Sequence, residues 1–193
     1  MPKIVDTEQY KKELLQKSFD LFAQKGYAAL TTRELAQELG VSTGTLYHYF
    51  PSKAALFEQL VEELCQQDVV KATVEIKKAK TLTQRLEALG KFMETQESNC
   101  IKQMFLWIEY CQQQEKEQGE KSQFFERIDE RYHQAVMDVI GVKDPAIAWL
   151  VLTMINGLII EKLWGNTHVS LTEHLKLLGE LLTAHEEKNM IKQ

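Results

Sequence analysis

Cysteine and proline are both scarce in this sequence, at three residues each among 193. The cysteines (Cys65, Cys100, Cys111) are odd in number and form no CxxC pair, which argues against a disulfide framework and points to a reducing compartment. With prolines only at Pro2, Pro51 and Pro145, long stretches stay free to be helical. Strict apolar–polar alternation is also missing, so no segment reads as a half-buried strand. The opening MPKIVDTEQYKKE lacks the apolar run of a signal peptide, and the expected location is cytoplasmic. The most apolar stretch, IAWLVLTMINGLII (147–160), is interrupted by Thr153, Asn156 and Gly157 and followed by Glu161-Lys162, too short to cross a bilayer. No membrane partner is expected.

What is present is the composition of an ordinary soluble protein, 44% hydrophobic and 26% charged, long enough to bury a proper core. The net charge of −5 is unevenly spread: residues 1–55 carry seven Lys/Arg against six Asp/Glu, and the acidic excess lies beyond them. Any polyanion partner must therefore be met by local contacts rather than by the field of the whole molecule.

Helix-start signals punctuate the chain. Thr31-x-x-Glu34, Thr81-x-x-Gln84 and Ser170-x-x-Glu173 match the capping box, and Asp144-Pro145 is a cap followed by proline at the first helical position. Gly26, Gly40, Gly119 and Gly141 stand where helices should stop. The pattern predicts helices near 7–25, 32–39, 43–50, 52–79, 82–97, 100–117, 122–140, 145–164 and 171–187. The polar tract 112–121 reads as a loop or a frayed helix end. The predicted fold is all-α, about nine helices.

The second and third of these helices carry the most information. Leu35, Ala36 and Leu39 make one apolar stripe, Gly40 permits a sharp turn, and Val41 plugs the corner. In the following TGTLYHYF, the helical period puts Leu46 and Phe50 on one face. Gly44 and His48 then fall on the opposite face, with Thr45 and Tyr47 at its flanks. A core cannot take all of Tyr47, His48, Tyr49 and Phe50, so some of these rings face outward. Such a surface suits a helix in a DNA major groove. Gly44 removes bulk at closest approach, Thr43, Thr45 and His48 reach base edges, and Tyr47, Tyr49 and Lys53 reach phosphates. The amides of Thr31 and Thr32, opening a helix, suit a further phosphate.

The stretch ELLQKSFDLFAQKGYAALTTRELAQELGVSTGTLYHYFPSKAALFEQLV resembles the DNA-binding head of the TetR family of bacterial transcriptional regulators, without a gap from about residue 12 to 61. The resemblance rests on Phe22…Gly26-Tyr27, Thr31-Thr32-Arg33, Leu39-Gly40-Val41-Ser42, Gly44-Thr45-Leu46-Tyr47 and Phe50-Pro51-Ser52-Lys53…Leu56. It implies a three-helix helix-turn-helix DNA-binding head, residues 1–52, on a larger helical effector-binding and dimerisation body, 53–193. By the same resemblance Arg33, Thr43, Thr45, Tyr47, His48, Tyr49 and Lys53 map to positions where relatives touch DNA.

Enzyme signatures are weak. The five histidines form no HExxH pattern, Glu130-x-x-His133 is half of a two-metal motif, and neither G-x-S-x-G nor a P-loop occurs. No enzyme activity, cofactor or metal is expected, and Cys100 with Cys111 makes a poor redox switch. Beyond residue 80, Phe92, Met104, Phe105, Trp107, Ile108 and Cys111 are dense enough to line a pocket for an apolar or aromatic effector, although the same stripe serves as core. Tyr132, His133, Met154 and Trp164 are further candidates. The helix 145–164 is apolar nearly all round, and with 171–187 it offers a homodimer interface through Trp149, Ile155, Leu158, Leu175, Leu178 and Leu182. Gly157 and Ala148 would permit close approach. The expected function is a cytoplasmic, homodimeric repressor that binds a palindromic operator in double-stranded DNA and is released by a small effector. The alternative is a DNA-bound architectural or partner-recruiting protein without one.

Overall fold

A computed structural model describes residues 7–118 and 123–190. Among the described residues there are nine helices and no strand: α1 (Thr7–Lys25), α2 (Thr32–Glu38), α3 (Thr43–Tyr49), α4 (Lys53–Ile76), α5 (Leu82–Thr95), α6 (Glu97–Gln118), α7 (Gln123–Ile140), α8 (Pro145–Leu163) and α9 (Leu171–Met190). Every expected helix is present. The polar tract is helical through Gln118; Gly119 and the rest of it to residue 121 lie outside the described residues.

The caps account for most of the starts. Thr31 and Thr81 each form a complete capping box, with Glu34 and Gln84 as the returning side chains. Asp144 accepts from the Ala146 amide ahead of Pro145. At α9 the box is built differently. Ser170 Oγ accepts from the Glu173 amide (3.1 Å), but the carboxylate that takes the Ser170 hydroxyl (2.8 Å) and the Thr172 amide (3.1 Å) and hydroxyl (2.6 Å) is Glu94, from α5. Burial works against the Glu94 carboxylate, but the Thr172 and Ser170 hydrogen bonds outweigh it and hold its pKa below the ordinary carboxylate value. Gly26 and Gly40 end α1 and α2 at φ 84° and 71°, a backbone region that L side chains rarely enter.

The chain packs as two compact units, Met1–Leu64 with Leu106–Phe124, and Cys65–Phe105 with Phe125–Gln193. In the first, Leu14, Leu15 and Phe22 of α1 are buried, as are Leu35 and Ala36 of α2, Leu46 of α3, and Phe50 that follows it. Four rings close that core: Phe57 stacks on Tyr110 (4.7 Å, 16°) and meets Tyr27 (4.9 Å) and Phe22 (5.4 Å) edge-on. Burial pushes the Tyr27 phenol up to about 12.

The second unit is built on α5 and α9, which run antiparallel at very short range. A Cβ at Gly90 would stand 2.6 Å from Thr172 Cα, and one at Gly179 would stand 2.6 Å from Thr83 Cα. Two backbones approach that closely only where side chains are absent. The surrounding core includes Leu86, Leu89 and Met93 of α5, Ala148, Val151, Ile155, Leu158 and Ile159 of α8, and Leu171, Leu175, Leu178 and Leu182 of α9. α8, at 19 residues, is long and apolar enough to cross a membrane by length and composition, so length does not set it apart. Ala148, Val151, Ile155, Leu158 and Ile159 on it belong to this core instead.

Helix propensity alone favours alanine over glycine by about 1 kcal/mol. At Gly90 and Gly179 the added methyl meets backbone, which cannot turn aside, so Gly90→Ala or Gly179→Ala should destabilise the protein by about 1–3 kcal/mol. Urea unfolding followed by helix signal checks this. A gain in stability at either position would mean that α5 and α9 are free to separate.

Candidate nucleic-acid interface

α2 and α3 meet across a turn closed by Gly40 N to Gln37 O (3.1 Å) and Val41 N to Ala36 O (2.9 Å). α3 opens on Ser42, whose Oγ accepts from the Thr45 amide (2.9 Å) and lies 2.8 Å from the Thr45 hydroxyl. The helix is anchored from beneath by Leu46 and, just past its end, Phe50, each 1% exposed. Gly44, Tyr47 and His48 are exposed, Thr43 and Thr45 half-buried. On α2, Arg33 is exposed and Thr32 half-buried. The outward face thus carries Thr43, Gly44, Thr45, Tyr47 and His48 together.

Three expected contacts have other partners. Tyr49 is half-buried, its ring edge-on to Tyr10 of α1 (5.6 Å). The Thr31 amide, expected to be open to a phosphate, donates to Glu34 Oε2 (2.8 Å). The Lys53 ammonium turns inward: it donates to Tyr27 O (2.9 Å) and Leu30 O (2.8 Å) and sits 4.4 Å above the Tyr27 ring. Burial lowers its pKa, against the pull of Glu117, Glu109 and Glu34. Glu109, which sequence reasoning passed over, accepts from the Tyr27 (2.8 Å) and Ala28 (3.1 Å) amides. Nothing local marks Glu109, because its partners lie some eighty residues earlier.

The effector-pocket candidates divide between the two units. Phe92, Met104 and Met154 pack against the second unit's core, Phe105 is exposed, and the Tyr132 hydroxyl donates to Asp68 (3.1 Å). Gln103 also hydrogen-bonds Asp68, and burial raises the pKa of that carboxyl. Trp107, Ile108 and Cys111 belong to the first unit; Ile108 and Cys111 are exposed. Cys100, in the second, has a thiol pushed up to about 11 by burial, which suppresses the thiolate a redox switch needs. His133 stacks on Trp149 (4.4 Å), and Trp164 is exposed. An open groove of about 610 Å³ runs between α4 and α5, lined by Val70, Val74, Ala88 and Phe92 with Lys71 and Lys91. Of its lining only Phe92 was anticipated.

Of the residues expected at a dimer interface, Ile155, Leu158, Leu175, Leu178 and Leu182 are buried in the second unit's own core, as is Ala148; Trp149 is exposed. A leucine every three or four residues serves an internal core and an interface equally well, so the sequence pattern could not separate them. Among the described residues, the large apolar side chains that α8 and α9 leave exposed are Trp149, Leu150, Leu177 and Leu181, with Trp164 at the end of α8. Gly157 shares that exposure, and a Cβ added there would meet nothing within 4 Å.

Among the described residues a helix-turn-helix head, with Thr43, Gly44, Thr45, Tyr47 and His48 on its outer face, is followed only by further helices. Residues 14–60 match the model for bacterial regulatory proteins of the TetR family. The head is a TetR-family domain, and the described chain has the TetR-family fold. Among solved structures it is similar to a TetR-family transcriptional regulator from Rhodococcus sp. (TM-score 0.69, 17% identity, covering 90% of this chain and 98% of that one). It is also similar to a transcriptional regulator from Saccharomonospora viridis in complex with choline (TM-score 0.66, 18% identity, 92% and 97%). Curated relatives include the nucleoid occlusion factor SlmA of Mannheimia succiniciproducens, 50% identical over 44 residues (23% of this chain, 20% of that protein). The HTH-type transcriptional repressor KstR2 of Mycolicibacterium smegmatis is 46% identical over 52 residues (27% and 23%). The matched region spans about a fifth of the length of these two relatives.

Gly44 is a helical glycine that the protein's own packing does not require: a Cβ there would meet only Ser42 Oγ, at 3.7 Å. Gly44→Ala should therefore stabilise the free protein, by up to about 1 kcal/mol, while weakening its hold on DNA. Thermal unfolding and a duplex-binding titration on the same variant check the two signs.

Proposed function

We propose that the protein is a TetR-family transcriptional regulator, a homodimeric repressor that reads a palindromic operator through α3 and is released by a small molecule. The carrying observation is the outer face of α3, where Gly44, Tyr47 and His48 stand exposed beside Thr43 and Thr45 on a helix anchored by Leu46 and Phe50. KstR2 is named a transcriptional repressor, and its match covers this head. The boundary we assign is functional: residues 1–52 read DNA, and 53–193 bind effector and partner subunit. α3 supplies base contacts from Thr43, Thr45 and His48 and phosphate contacts from Tyr47, with Thr32 and Arg33 of α2 beside it.

An effector among the apolar residues of the body is supported by the choline complex of one neighbour and by the polar group of Asp68, Gln103 and Tyr132. A second reading, a DNA-bound protein that recruits a partner, is favoured by the open groove on α4 and α5 and by relatives named nucleoid occlusion factors. The two readings differ in linkage. α4 is continuous from Lys53 to Ile76, about 36 Å at 1.5 Å per residue, and contributes to both units. Under the repressor reading, DNA and effector weaken each other's binding by one common factor, about 5–150-fold. Proline at Val69 or Val70, which breaks the helix, should reduce that factor in a variant that still folds.

The experiment is selection of duplexes from a random-sequence pool, followed by release of the enriched duplex with a metabolite library. An inverted repeat should emerge, with half-sites about 34–36 Å, or a small multiple, apart. Thr45→Ala and His48→Ala should change which sequences are enriched. Pool members without symmetry would sink the dimeric reading, and independent binding of DNA and every small molecule would favour partner recruitment.

Association is tested by the faces α8 and α9 leave bare. Leu181→Glu, at a side chain 60% exposed, should yield a folded monomer by sedimentation. Leu158→Glu, in the core, should unfold the second unit instead, since a buried unpaired charge is costly. A dimer that survives Leu181→Glu and Leu150→Glu alike would place the interface elsewhere.

A further inference from the structure

The connection 26–31 joins α1 to the helix-turn-helix pair, and two side chains of opposite charge hold its backbone. The Glu109 carboxylate, from α6, accepts from both the Tyr27 amide (2.8 Å) and the Ala28 amide (3.1 Å). The Lys53 ammonium, from the first turn of α4, donates to the Tyr27 carbonyl (2.9 Å) and the Leu30 carbonyl (2.8 Å). The Tyr27 ring lies beneath the ammonium, 4.4 Å from it, and is itself buried against Phe57 and Tyr110. Each charge takes the backbone groups it is suited to: an anion the donors, a cation the acceptors. Gly26 fits the same arrangement, since a Cβ there would stand 3.0 Å from Glu109 Oε1.

These four bonds bear on DNA because of where the connection leads. Leu30 directly precedes Thr31, the cap of α2, and α2 carries α3 through the turn at Gly40. Fixing the Leu30 carbonyl fixes the point at which α2 starts. We propose that Lys53 and Glu109 form a clamp that sets the position of the helix-turn-helix pair, and that both act in DNA binding as positioning residues, with Lys53 not a phosphate contact. This inference rests on the DNA-binding reading above.

Electrostatics makes the proposal falsifiable in sign. A carboxylate removed from the DNA-binding unit should, through charge alone, strengthen binding to a polyanion. The clamp demands the reverse. Glu109→Gln keeps the shape but leaves one acceptor oxygen for two amides, and it should lower affinity for the enriched duplex about tenfold, the scale of one lost charge-assisted hydrogen bond. Lys53→Met keeps the stem and loses the ammonium. It should lower affinity to a similar degree while the slope of log K against log salt stays that of the wild type. A phosphate contact would instead make the slope shallower by about 0.9.

The test measures both variants and the wild type against a duplex that the wild type enriches from a random pool, across a salt series. Amide hydrogen exchange at Tyr27 and Ala28 is read without DNA. Expected are weaker binding in both variants, an unchanged slope for Lys53→Met, and exchange at the two amides at least about tenfold faster in Glu109→Gln. Glu109→Gln, being isosteric, carries the test alone where Lys53→Met loses its helix signal. Equal or tighter binding by Glu109→Gln overturns the positioning role, as does a shallower slope for Lys53→Met. Unchanged exchange overturns the clamp itself. If the wild type enriches no duplex, the DNA reading fails and takes the positioning role with it, while the exchange result still decides whether the clamp exists.

Discussion

A helix of two turns does not hold itself together in water. Nucleation is costly, and isolated helices below about a dozen residues are marginal even with favourable sequences. α2 and α3 are seven residues each, so the reading surface exists only because other elements fix its ends and its underside. Local caps supply part of this, through Thr31 with Glu34 and Ser42 with Thr45. Burial supplies more, through Leu35, Leu46 and Phe50. The rest is long-range: an aromatic core made by Phe22, Tyr27, Phe57 and Tyr110, and the charged groups of Lys53 and Glu109 on the connection before α2. Gly44, Tyr47 and His48 of the outer face stay exposed, outside the core that holds α3 in place.

Glycine within helices marks two different situations here. Gly90 and Gly179 lie where a methyl group would strike the backbone of the facing helix, so their absence of side chain is explained inside the protein. Gly44 and Gly157 face nothing that a methyl would disturb. Each gives up helix propensity with no internal compensation, and each is itself exposed.

Much of the architecture was legible because its causes are local. Helix number, the boxes at Thr31 and Thr81, the Asp144-Pro145 start and the inward pair Leu46 and Phe50 all follow from spacing over a few residues. What was not legible depends on partners far along the chain. Lys53 reads as a cation at a helix start, and only the folded chain shows carbonyls at 27 and 30 within its reach. Glu94 lies in an ordinary amphipathic helix, yet it completes the cap of α9 78 residues later. The leucines of α8 and α9 show the same limit: their period reveals that one face is apolar, not whether the covering comes from within the chain or from outside it. Leu158 and Leu178 are covered from within, Leu150 and Leu181 are not.

The placement of the tryptophans has a spectroscopic consequence. Of three in the chain, Trp149 and Trp164 lie on or at the end of α8, the first partly and the second largely open to solvent, while Trp107 lies on α6. Intrinsic fluorescence is therefore weighted towards the bare face of α8, and its emission wavelength follows whether water or another surface lies against that face. Trp149 also stacks on His133 at 4.4 Å. Tryptophan emission is thus a label-free optical reporter of what covers α8, readable without altering a residue.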